Sequence, residues 1–216
     1  MNKKCMVYRY IAEHALVDKK AKFNVRGIAS ELGMAPDTAS NAVAPLKRIG
    51  AIDMQRRYFT LNSMEKLLSV WAVARNFAKD IIYKTYVNGL SVTEMENMLP
   101  SGIAYTNYSG YSKLFGNDVS TYSEVYAYAV DEAAKEIMKR FPERALTSGS
   151  GYYNLIILKP DYVLERRIIE KRLEHSAVSL PQLYVDLWNA KEWYAYGFLK
   201  RVKEKIDDKY AKAILE

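Results

Sequence analysis

The sequence predicts an α+β fold: a small N-terminal module of helices and a hairpin, joined by a helix to a mixed α/β C-terminal domain. Three observations predict it. Apolar residues in the first third recur at helical spacing in successive stretches separated by glycine and proline. Beyond about residue 80, short β-branched and aromatic runs alternate with helix-capping signals. The charge is also uneven. Residues 1–62 hold eleven Lys and Arg against five Asp and Glu, a net of +6, whereas the remainder nets +1. A basic module on a nearly neutral body fits an electrostatic foot for nucleic acid as well as a surface kept soluble by lysine, and the residue pattern must decide between them. At 216 residues the chain can bury a core without disulfide or metal staples. Cys5 is the single cysteine and has no partner within the chain, which fits a reducing compartment. Arg9 and Glu13 interrupt the apolar stretch behind Lys3 and Lys4, against a signal peptide. The most apolar run, Leu67 to Ala74, is too short to span a bilayer. A cytoplasmic location is expected.

Taken in order, Val7, Tyr10, Ile11, His14 and Ala15 predict an amphipathic helix over about 4–17, with His14 packed inward. A polar stretch, Asp18 to Lys22, leads to an extended piece at Phe23 and Asn24. A second helix fits Val25 to Leu32 and stops at Gly33, which tolerates the left-handed turn needed there. Pro36 suits the first turn of a third helix running to about Ile49, buried through Ala39, Val43 and Leu46. Its other face carries Asp37, Thr38, Ser40, Asn41, Lys47 and Arg48. Pro45 is expected to kink it, since proline removes a helical hydrogen bond and crowds the preceding turn. Ala51 to Gln55 and Arg57 to Leu61 read as strands around the basic tip Gln55-Arg56-Arg57. Helix, turn, helix and basic hairpin in this order predict a winged helix-turn-helix over residues 1–62. Short polar side chains at the front of the third helix would reach base edges. Lys47, Arg48, Gln55, Arg56 and Arg57 would meet the backbone or minor groove.

Asn62 to Glu65 reads as a capping box for a linking helix over 63–80, with Leu67, Leu68, Trp71, Ala74 and Ala78 in one stripe. The C-terminal domain, 81–216, has candidate strands at Ile81–Tyr86, Ile103–Thr106, Glu124–Val130 and Asn154–Leu158. Ser91 to Glu94 caps a short helix that ends before Pro100, and a further helix spans Asp131 to Arg140. Ser179 to Gln182 caps a helix buried through Leu183, Leu187 and Trp188, and a last helix runs from about Glu192 to Ile214. Eighteen tyrosines cluster around 105–111, 122–128 and 194–196. Without a basic excess around them they read as core or protein interface rather than a single-strand platform.

The segment Ile28-Ala29-Ser30-Glu31-Leu32-Gly33-Met34-Ala35-Pro36-Asp37-Thr38-Ala39-Ser40, followed by Leu46-Lys47-Arg48-Ile49-Gly50-Ala51-Ile52, resembles the core of many prokaryotic winged-helix regulators. Arg57 to Leu61 running into Leu67 to Trp71, then Ala104-Tyr105-Thr106, Ser109 to Leu114, Asn154 to Asp161 and Ser179 to Trp188, is similar to the AbiEi-type antitoxins. That resemblance implies an autorepressor of a type IV toxin–antitoxin operon. Its partners would be double-stranded DNA, a second copy of the chain in a homodimer, and a cognate toxin or other protein bound by the C-terminal domain.

Catalytic chemistry finds little support. One cysteine and the separated His14 and His175 give no zinc-ligand spacing. There is no nucleophile elbow, and the Thr147 to Gly151 loop lacks the lysine and spacing of a phosphate loop. Neither a cofactor nor an enzymatic activity is expected. The rival class is a metal-dependent nuclease built from Glu124, Asp131, Asp161 and Glu165 with Lys159 as cation. Against it, Asp161 and Glu165 are one helical turn apart rather than at converging strand ends. A winged-helix protein-interaction scaffold is the third reading.

Overall fold

The computed structural model describes residues 2–143 and 152–215, so the predicted Thr147 to Gly151 loop lies outside the described residues. The fold is mixed α+β, with two separate sheets. No helix among the described residues is long and apolar enough to cross a membrane. The chain divides into two compact units. Unit 1 comprises residues 1–76, 180–189 and 200–216, and unit 2 comprises 77–179 and 190–199.

Unit 1 begins with α1 (Lys3–Val17), capped by the Asn2 side chain accepting from the Lys4 N–H at 3.0 Å. Strand β1 (Lys22–Phe23) leads into α2 (Val25–Glu31), and Gly33 at φ +55° makes the turn into α3 (Pro36–Arg48). Strands β2 (Ile52–Met54) and β3 (Phe59–Leu61) complete an antiparallel sheet in the order β1-β3-β2. Phe23 faces Phe59 across it with rings stacked 5.5 Å apart, which locks the register of the short β1. Helix α4 (Met64–Ala74) follows. α1 packs against α3, α4 and α9 (Leu180–Trp188), and α4 also packs against α9. The core there is Val7, Ile11, Leu46, Leu67 and Trp71, all fully buried. Beneath it Arg75 and Asp186 form a buried ion pair, Nε to Oδ1 at 3.3 Å, with the Gln182 amide donating to the same oxygen at 2.9 Å.

Unit 2 is built on a sheet ordered β4-β7-β6-β5: β4 (Ile81–Thr85), β7 (Leu155–Leu158), β6 (Val125–Ala129) and β5 (Ile103–Thr106). The outer pairs are antiparallel and the central β6–β7 pair is parallel. A parallel pair needs a crossover, and α7 (Asp131–Arg140) lies in the chain between β6 and β7. Both central strands are buried along their whole length, as strands covered on both faces must be. Helices α5 (Val92–Met98), α6 (Asn107–Phe115) and α7 pack on this sheet, and α8 (Tyr162–Ile169) follows β7. The last helix, α10, spans Ala195–Leu215.

Several expectations change. Ser63, not Asn62, caps α4, its hydroxyl accepting from the Lys66 N–H at 3.2 Å. That helix ends at Ala74 instead of running to 80, because Arg75 turns extended and Phe77–Asp80 forms a 3₁₀ turn, leaving Ala78 exposed. His14 is half-buried rather than packed in the core. It pairs with Asp18 one turn along and rests on the Tyr10 ring at 4.0 Å. Arg57 lies in the hairpin turn, not in β3. The buried Ser179 hydroxyl has no hydrogen-bond partner among the described residues and so caps no helix there, and Trp188 is 45 % exposed. α10 starts at Ala195 rather than Glu192. The sequence pattern does not predict α6 or α8. α6 opens on Asn107 at φ +49° and is rich in Ser, Gly and Tyr, poor helix formers whose burial against β5 and β6 overrides propensity.

Candidate nucleic-acid interface

The candidate surface is assembled wholly within unit 1. On α3 the sequence alternates by face: Ala39, Ala42, Val43 and Leu46 are buried, whereas Asp37, Ser40, Asn41, Lys47 and Arg48 are exposed and Thr38 is half-buried. Asp37 sits in the first turn, and Lys47 and Arg48 in the last, so each charge complements the helix dipole as well as facing solvent. Lys66 closes the far end, its Nζ donating to the Ile49 carbonyl at 2.9 Å.

The hairpin is short. The Gln55 N–H donates to the Tyr58 carbonyl at 2.8 Å, so Arg56 and Arg57 occupy its tip, exposed with Gln55. Asn24 ties this tip to α2. Its Nδ2 donates to the Arg57 carbonyl at 2.7 Å while its Oδ1 caps the helix by accepting from the Gly27 N–H at 3.0 Å. Between hairpin and helix lies a groove of about 480 Å³ lined by Asn24, Arg26, Gln55, Arg56, Arg57 and Tyr58 among others. Arg26, Arg56, Arg57, Lys47 and Arg48 have no acidic partner among the described residues, so their charge is free to meet an external anion. A smaller groove of about 230 Å³ shares Asn24, Arg57 and Tyr58 and adds Lys20 and Lys22. Lys22 lies over the Tyr58 ring at 5.1 Å, and Lys20 over Phe23 at 5.5 Å. Stacking on rings holds both ammonium groups near the groove while leaving their charge available.

The sequence pattern thus points to Gln55, Arg56 and Arg57 but misses Arg26, Lys22, Lys20 and Asn24 beside them. A signal existed in the basic residues flanking Phe23-Asn24, but their convergence on the hairpin needs the β1–β3 pairing.

Two of the four carboxylates of the rival nuclease reading are otherwise engaged. Glu124 is buried and accepts from the Tyr194 hydroxyl. Asp161 caps α8, accepting from the Val163 and Leu164 N–H groups at 3.0 and 3.1 Å. Asp131 is exposed in the first turn of α7, Glu165 is half-buried on α8, and Lys159 is exposed. No group of three or more His, Cys, Asp or Glu side chains is placed to hold a metal ion among the described residues.

Most of the clustered tyrosines lie inside unit 2, but Tyr196 is 73 % exposed. Tyr108, Tyr111 and Tyr128 are buried, and Tyr108 donates to Glu192 at 2.7 Å. Burial and the neighbouring Glu192 carboxylate push the Tyr108 and Tyr126 hydroxyls well above the ordinary phenol range, so both remain donors at any physiological pH. Comparison of the chain with family models, with curated proteins and with solved structures found no match.

Proposed function

We propose that residues 1–62 form a winged helix-turn-helix that binds double-stranded DNA and that the protein is a homodimeric transcriptional regulator, resembling the AbiEi-type antitoxins. The observation that carries this reading is the assembly of α3 and the β2–β3 hairpin. An amphipathic helix with a mostly polar outer face follows a tight glycine turn from α2. A hairpin then returns through a sheet ordered β1-β3-β2 and presents arginines with no acidic partner among the described residues. In this reading Asp37, Thr38, Ser40 and Asn41 face base edges, while Lys47, Arg48, Gln55, Arg56 and Arg57 hold phosphates or the minor groove. Arg26 joins the phosphate-holding set through the shared groove. A dimer follows from the two-fold symmetry of operators.

The test is binding of the full chain to the DNA upstream of its own gene, titrated against salt with and without magnesium. Tight, salt-steep, sequence-selective binding without cleavage is expected. Salt-independent or absent binding would remove the DNA-binding function and leave a protein-docking module, and magnesium-dependent cleavage would return the carboxylates of unit 2 to consideration.

A further inference from the structure

Unit 2 holds a groove of about 600 Å³ that DNA binding does not use. One wall is the chain entering β5, from Leu99 to Ile103 with Tyr105. The other is the end of α8 and the segment behind it, through Ile168, Ile169, Lys171, Leu173, His175 and Ser176. Its volume falls within the range of pockets that take small organic ligands, about 300–1,000 Å³. Its lining is mixed, with apolar and polar surface in about equal parts. Ile168 is buried, whereas Ile169 beside it leaves 64 % of its surface at the rim.

The charge is one-sided. Lys171 and His175 line the groove, no Asp or Glu does, and neither side chain has a hydrogen-bond or ion-pair partner among the described residues. Both are exposed, so they bring an ammonium group and an imidazole to the mouth of this groove. The wall is also specifically shaped. Lys171, at φ +53°, is the left-handed residue that ends α8, its N–H reaching the Ile168 carbonyl at 3.1 Å, whereas His175 and Ser176, at φ +47° and +55°, hold a conformation unfavourable for residues that carry a Cβ outside any helix end. The Val178 N–H holds this segment to the Tyr105 carbonyl at 2.9 Å, and the Ala177 N–H closes on the Glu174 carbonyl at 2.9 Å. Strained residues kept in place by such bonds gather at ligand clamps.

We propose that this groove binds a small amphipathic organic anion, its hydrocarbon body against Leu99, Ile103, Ile168 and Leu173 and its carboxylate between Lys171 and His175. The inference is independent of the DNA-binding reading, because every residue it uses lies in unit 2.

Calorimetric titration of the full chain with octanoate, decanoate and octan-1-ol tests it. Octanoate should bind saturably, and decanoate more tightly by roughly fourfold per added methylene. Octan-1-ol, which keeps the chain and loses the charge, should bind about tenfold more weakly, the factor a charged hydrogen bond supplies. Lys171→Asn with His175→Asn replaces the ammonium and the imidazole by short neutral amides while tolerating the left-handed backbone, and should abolish the preference for octanoate over the alcohol. Ile169→Asp, at an exposed position, should weaken all three ligands. Both variants should melt as the parent does by circular dichroism, which separates ligand loss from unfolding. Absence of saturable octanoate binding, or unchanged affinity in both variants, would overturn the assignment.

Discussion

Asn24 shows how a single side chain positions the candidate site, because its amide caps α2 with the oxygen and anchors Arg57 with the nitrogen. The roles separate by substitution. Asn24→Asp keeps the capping oxygen and loses the donor, so it should hold stability close to the parent while loosening the hairpin. Asn24→Ala loses both and should cost about 1 kcal/mol in chemical denaturation. Equal destabilisation by the two would show that the bond to Arg57, not the cap, carries the stability. In unit 2, Glu94 reaches back to the Ser91 hydroxyl and N–H, each at 2.7 Å, and these bonds to its charged form lower its pKa from the ordinary glutamate value. A depressed carboxylate contributes stability above its unfolded pKa and loses it as pH falls through the folded one. Carboxyl NMR titration should therefore find the Glu94 midpoint below that of an ordinary glutamate, and Ser91→Ala should move it back up. The Arg75–Asp186 pair is different in kind, since both groups are buried. Asp186→Ala leaves a buried guanidinium and should cost about 3–5 kcal/mol, whereas Arg75→Met with Asp186→Leu should recover most of that loss. A double variant as unstable as the single would mean that the pair itself, with its Gln182 bond, drives the packing of this region.

At the scale of elements, the hairpin and α3 should fail in distinguishable ways. Replacing Arg56 and Arg57 by alanine is expected to weaken binding to every DNA sequence and to lower the salt slope by about 0.9 for each phosphate left without its cation. Adding Arg26→Ala should lower it again, because Arg26 lines the same groove. A slope that stays constant would detach the hairpin from the phosphate backbone. Asn41→Ala, on the exposed face of α3, should instead weaken cognate binding selectively, and equal weakening on random DNA would count against base readout. Much of this region is legible because its signals are local. Gly33 and Pro36 punctuate the turn, and the buried stripe Ala39, Val43 and Leu46 repeats at helical spacing. α6 is not legible, because Asn107 to Phe115 carries turn-forming residues and becomes helical only where Tyr108 and Tyr111 bury themselves. The end of α4 is hidden for the opposite reason. Apolar periodicity continues past Ala74, but the Arg75 side chain is drawn to Asp186, more than a hundred residues away in sequence.

At the scale of the molecule, unit 1 is discontinuous, and the residues 180–189 and 200–216 belong with the first 76. The α4 face that α9 covers would be bare in a chain cut after Asn76. Such a chain should lose the cooperative thermal transition of the parent, followed by circular dichroism. A cooperative transition together with full, salt-dependent DNA affinity would show that α9 and the end of α10 are dispensable to the DNA-binding module.

Local residue pattern was enough for the α+β class, most helix and strand positions, the polar face of α3 and the basic hairpin tip. Each depends on periodicity, capping or charge within a dozen residues of chain. Only the tertiary structure decided which distant segments share a core, that Arg26 and the lysines of β1 converge on the hairpin, and that the chain after α8 lines a groove beside β5. Those facts arise from strand pairing and the burial of apolar faces between segments far apart in sequence, and no local pattern of residue types encodes which face meets which.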